Sequence, residues 1–74
     1  MNITVKLFAT LRNDRFDKSE IECSENSSVS SIITILDLDE KDVAIIFING
    51  KHAGVEDILN ENDTVAFFPP IGGG

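Results

Sequence analysis

The sequence has no second cysteine. Cys23 stands alone among 74 residues, so no intrachain disulfide can staple the fold. Histidine is equally scarce, with His52 the single copy, and no Cys/His cluster offers a metal site. No internal repeat, low-complexity tract or linker interrupts residues 1–70. The longest unbroken apolar run, "VAIIFI", is far too short to cross a bilayer. The start, "MNITVKLF", has no apolar stretch of the length a signal peptide needs. These absences predict a soluble protein in a reducing, cytoplasmic compartment. Positive charge is also in short supply. Six Lys and Arg against thirteen Asp and Glu give a formal net charge of −7. Such a chain repels nucleic acid and anionic membranes, and its docking surface is expected to meet a basic partner. Finally, no nucleophile–base pair and no glycine-rich phosphate loop precede the last residues, so no catalysis by the chain alone is expected.

What is present reads as one small domain, since 74 residues leave no room for a second and 42% hydrophobic content allows one core. "ITVKLF" alternates with period two, Ile3, Val5 and Leu7 on one face and Thr4, Lys6 and Phe8 on the other. "ATLRNDRFDKS" reads as a polar, turn-rich connection in which Arg12, Arg15 and Lys18 belong by default to a solvated loop, with partner contacts the alternative. "EIEC" alternates again and predicts a hairpin with the first strand, with Ile21 and Cys23 facing inward and the thiol buried and inert. Val29, Ile32, Ile33 and Leu36 then recur at helical spacing, with Ser27 or Ser28 as N-cap. The acidic stretch "DLDEKD" carries Asp37, Asp39 and Asp42 but lacks the glycine and distal glutamate of a calcium loop, so it reads as a solvated turn.

"VAIIFI" is apolar on both faces and predicts a buried interior strand. Asn49-Gly50 follows as a tight hairpin turn, with "KHA" returning. "VEDILNEND" is expected to cross over through one helical turn burying Ile58 and Leu59, with Asn62 in a left-handed conformation. "TVAFF" ends the order β-β-α-β-β-turn-β, with Val65 and Phe67 inward. The predicted fold is α+β: a mixed four- to five-stranded sheet curled over one helix, the last strand lying parallel to the first in the middle of the sheet. This is the β-grasp or ubiquitin-like architecture. The domain spans residues 1–70, and residues 71–74 form a flexible tail.

Two features of this arrangement concern function. Phe8 and Phe68 fall on the face away from the helix, close together if the first and last strands are neighbours, and predict an anchor for a partner. The alternative is that the chain itself covers them. Pro69 and Pro70 cannot donate sheet hydrogen bonds, so they end the strand and aim Ile71, Gly72, Gly73 and Gly74 away from the body. From Pro70 the chain can reach about 17 Å. A terminal glycine carboxylate is a poor electrophile until activated, and a glycine end threads a narrow active site without a Cβ to clash.

"VKLFATLR", "ING" at Ile48–Gly50 and "DTVAFFPPIGGG" resemble the molybdopterin-synthase branch of the β-grasp sulfur carriers, a family that also holds the thiamine-pathway carrier. The resemblance spans essentially the whole chain. It implies that a ubiquitin-activating-type enzyme adenylates the Gly74 carboxylate with ATP and magnesium, and that a sulfur donor converts it to a thiocarboxylate. The tail, ending in Gly73 and Gly74, would then enter the large subunit of molybdopterin synthase and donate sulfur to the dithiolene of the molybdenum or tungsten cofactor. It further implies that Phe8 and Phe68 dock both partners, that His52 replaces an apolar residue of the same face, and that Pro69 to Gly72 line the partners' channels. Gly72 stands where a small side chain is frequent, and the segment before "VAIIFI" is shorter than in many molybdopterin carriers. A carrier for thiamine or another pathway, a ubiquitin-like modifier of lysines and a passive interaction module are the alternatives.

Overall fold

The computed structural model describes residues 1–70. Five strands form one mixed sheet: β1 (Asn2–Leu7), β2 (Lys18–Glu22), β3 (Ile45–Ile48), β4 (Lys51–Ala53) and β5 (Thr64–Phe68), in the order β2-β1-β5-β3-β4. β1 and β5 run parallel at the centre, and the remaining pairings are antiparallel. One helix, α1 (Val29–Ile35), covers one face. The expected β-grasp order and the central position of the last strand are thus present.

Alternation decides which side chains meet the helix. Ile3, Val5 and Leu7 of β1 and Val65 and Phe67 of β5 are buried, together with Val29, Ile32 and Ile33 of α1 and Ile46 of β3. The helix is short and rich in serine and β-branched residues, a sequence of modest intrinsic helicity. Burial of three aliphatic side chains, at about 1.5–3 kcal/mol each, outweighs that deficit. Its first amides are satisfied from outside: Ser28 Oγ accepts from Ser31 N, while Val29 N and Ser30 N donate to the carbonyls of Asp57 and Val55.

Those two bonds explain where the sequence reading of residues 55–63 fails. No helical turn forms there, because the segment's carbonyls are recruited by the amides of α1. Leu59 N donates to Ser27 O, and Ser28 bridges to Ile58. The extended backbone turns Leu59 into the core and leaves Ile58 52% exposed. Asn62 does take the left-handed conformation, at φ 69°, as do Asn49 (52°) and Gly50 (81°) in the hairpin. Four further expectations change. The polar connection after β1 contains a 3-10 helix, Ala9–Arg12, that buries Leu11. Lys18 lies in β2, not in a loop. β3 is an interior strand, yet only Ile46 in it is buried; Ile45, Phe47 and Ile48 are half-buried. Cys23 is likewise half-buried beside the core.

Candidate functional site: an aromatic ladder at the tail exit

Among the described residues no element covers the face opposite α1, and four rings cross it. Phe8 stacks on Phe68 with centroids 4.3 Å apart and planes within 10°. Phe68 meets Phe47 edge-on at 5.7 Å, and Phe47 meets His52 edge-on at 5.6 Å. Strand register builds this ladder. Phe8 N donates to Phe67 O just beyond β1, which sets Phe8 beside Phe68. The two-residue turn Asn49-Gly50 pairs Phe47 directly with His52. Ile45 lies opposite Phe68, and Ala66 opposite Phe47, between the rungs. Edge-on and offset contacts of this kind contribute about 0.5–1.5 kcal/mol each beyond area burial. The rings therefore hold one another in place in the free chain.

Sequence-predicted residues Phe8, Phe68 and His52 are brought together as expected. Phe47 was missed, although the signal was available. Hairpin arithmetic places position 47 across from position 52, so a His52 on the docking face requires Phe47 on that face too. Reading "VAIIFI" as uniformly buried hid it.

The exit of the chain is next to this ladder. Pro69 follows Phe68 directly and is half-buried, whereas Pro70 is exposed. Both border a cleft with Leu11, Arg15, Leu38 and Asp42. Ile71, Gly72, Gly73 and Gly74 lie outside the described residues. At the opposite end of β5 a polar latch holds the strand. The carboxylate of Asp63, only 9% exposed, accepts from Asn49 Nδ2 and from Asn60 N, both at 2.8 Å. Asn49 Oδ1 in turn accepts from Thr64 N at 2.9 Å. Among the described residues no group of three or more His, Cys, Asp or Glu could hold a metal ion, and no helix is long and apolar enough to cross a membrane.

A family model, the ThiS family, matches residues 5–74. The chain belongs to the ThiS family. This ThiS-family chain is similar in structure to a Pyrococcus furiosus protein bearing the name of molybdopterin converting factor subunit 1. The TM-score is 0.77 and the identity 27%, over 96% of this chain and 99% of that one. It also matches Haloferax volcanii small archaeal modifier protein 1 (TM-score 0.79, 20% identity, 95% of this chain and 98% of that one). A third match comes from the Helicobacter pylori complex of subunits 1 and 2 of molybdopterin-converting factor (TM-score 0.68, 20% identity, all of both chains). At 20% identity the last two establish the shared ubiquitin-like fold. No curated protein sequence matches the chain.

Proposed function

We propose that this ThiS-family chain is a sulfur carrier that serves molybdopterin biosynthesis as the small subunit of molybdopterin synthase. The observation that carries the reading is adjacency: Phe68, at the centre of the aromatic ladder, runs directly into Pro69 and Pro70. A partner gripping the ladder is thereby presented with the chain's end, and surface recognition and delivery of the terminus become one event. The family membership and the likeness to subunit 1 proteins support it.

In this reading a carboxylate oxygen of Gly74 attacks the α-phosphorus of ATP and expels pyrophosphate. A hydrosulfide equivalent (HS⁻) from the sulfur source then attacks the acyl carbon and displaces AMP, leaving the thiocarboxylate with no change of oxidation state. ATP and magnesium belong to the adenylating partner, and the chain binds no cofactor of its own. Phe8, Phe47, His52 and Phe68 hold the body while Pro69, Pro70, Ile71 and Gly72 lead Gly73 and Gly74 into the partner's active site. The chain supplies a reactive group and turns nothing over by itself, and it works in the cytoplasm without nucleic acid or membrane.

The test is the intact mass after incubation with the adenylating enzyme of the same genome, ATP, magnesium and a sulfur source. A gain of about 16 Da, oxygen replaced by sulfur through an activated acyl group, is expected. An unchanged mass with an enzyme that forms acyl-adenylate on another substrate refutes sulfur carriage. Lysine-linked Gly-Gly remnants on many proteins would instead establish a modifier, a reading to which the likeness to the Haloferax protein gives its one support.

A further inference from the structure

The charge of the chain is not spread evenly. Residues 1–18 hold four of the six cations and only two carboxylates, and residues 19–74 hold two cations and eleven carboxylates. Strand register brings part of the cationic set onto the ladder's own face. Lys18 of β2 lies opposite Lys6 of β1, Lys6 opposite Ala66 of β5, Ala66 opposite Phe47 of β3, and Phe47 opposite His52 of β4. One continuous row thus crosses all five strands, running from two ammonium groups through a methyl to two rings. At the usual strand spacing Lys6 stands about 10 Å from Phe47, within the footprint of a single docking event.

Like charges directly opposite each other in a sheet are unfavourable for folding. No ion pair within 4 Å offsets this pair: among the described residues the ion pairs are Arg12–Asp17 and Lys41–Asp39, and neither Lys6 nor Lys18 has one. The nearest carboxylate by register is Glu20, two residues along β2 and opposite Thr4.

We propose that Lys6 and Lys18 form the charged rim of the docking face, and that the partner's surface presents Asp or Glu carboxylates beside the apolar cleft that receives the aromatic ladder. This rests on the reading above that the ladder docks a partner protein, and it names that partner's chemistry. It also narrows the inference from net charge, because the row that meets the rings is cationic, while Glu20 and Glu22 lie farther along the same face of β2. A polyanion such as nucleic acid or an anionic bilayer fits less well, since two lysines on a chain of net charge −7 meet long-range repulsion and leave the rings unused.

The test uses the full chain against the adenylating enzyme and the molybdopterin synthase large subunit of the same genome, each purified, with titration calorimetry at about 0.05 M and 0.5 M salt. Lys6→Glu and Lys18→Glu each raise Kd about tenfold at low salt, and the difference shrinks at high salt. Lys41→Glu makes the same charge change away from this face, in the 3-10 helix Glu40–Asp42, and changes Kd less than about twofold. The melting temperature of Lys18→Glu is no lower than that of the parent, so a weakened complex cannot be misfolding. Tighter binding by Lys6→Glu, or an effect equal to that of Lys41→Glu, overturns the proposal while leaving sulfur carriage standing. A parent chain that binds neither partner overturns the docking reading and this inference with it.

Discussion

The latch between Asn49 and Asp63 makes a sharp test of how this sheet is held. Asn49→Asp preserves the side-chain shape and tolerates the left-handed turn, where Asn49 sits at φ 52°, so backbone strain is not introduced. What changes is one atom. The Nδ2 group that donates to Asp63 Oδ1 at 2.8 Å becomes an oxygen facing an oxygen. The lost charge-assisted bond is worth about 1.5–3 kcal/mol. Two carboxylates at this distance add a repulsion that would reach about 6 kcal/mol at an effective dielectric of 20. Position 49 is exposed, and solvent screening reduces that repulsion severalfold. A net loss of about 3 kcal/mol is expected, a large part of the roughly 4–11 kcal/mol that a domain of this size possesses. That corresponds to a fall in Tm of about 10–20 °C. Asp63→Asn alone costs about 1–2 kcal/mol, since two amides then face each other and one amide donor among Thr64 N and Asn60 N loses its acceptor. The double variant Asn49→Asp/Asp63→Asn reverses donor and acceptor and should recover to within about 1 kcal/mol of the parent. The chain has no Trp or Tyr, so urea unfolding followed by far-UV circular dichroism is the assay. Additive losses in the double variant would refute the latch.

Phe47→Ala, which removes a half-buried ring outside the core cluster, should weaken binding to the adenylating enzyme at least about tenfold while lowering stability by only about 1 kcal/mol, read by calorimetry and urea unfolding. Phe68→Ala removes the ring that contacts both Phe8 and Phe47 and should cost the free chain about 2 kcal/mol besides abolishing measurable binding. Deleting Gly73 and Gly74 should leave Tm within about 2 °C of the parent, because the buried core is built from residues 3–67, and should abolish the mass gain. A truncated chain that unfolds would contradict a tail independent of the domain.

Most of the architecture is legible in the sequence because period and turn chemistry agree. Val5 and Leu7 alternate inward, Val29, Ile32 and Ile33 recur at helical spacing, and Asn49-Gly50 fixes the register of β3 against β4. Where reading fails, a non-local partner decides. Nothing in "VEDIL" says that its carbonyls will be taken by the first amides of α1, yet that contact turns an expected helical burial of Ile58 into exposure. Leu11 is a similar case, one apolar residue in a polar loop that gains burial only once a 3-10 helix folds back on the sheet. Phe47 differs, since its face follows from the hairpin by counting, and an apolar neighbourhood concealed it.

The central strand explains why recognition and delivery share one place. β5 pairs with β1 on one side and β3 on the other, so its outward residues Ala66 and Phe68 have neighbours on both flanks. A ring at position 68 can therefore touch Phe8 and Phe47 at once, which no edge strand allows. The same strand is the last element, so the residue that completes the ladder is also the one from which the terminus departs. β5 is anchored at its start by the latch and in its middle by Val65 and Phe67, both fully buried. Its end is thus fixed by contacts within residues 1–70. The proposed delivery of the terminus into a partner's active site needs that arrangement. The point of departure is held by the latch and the core, and the register of β5 cannot slip by one residue without turning Phe67 outward.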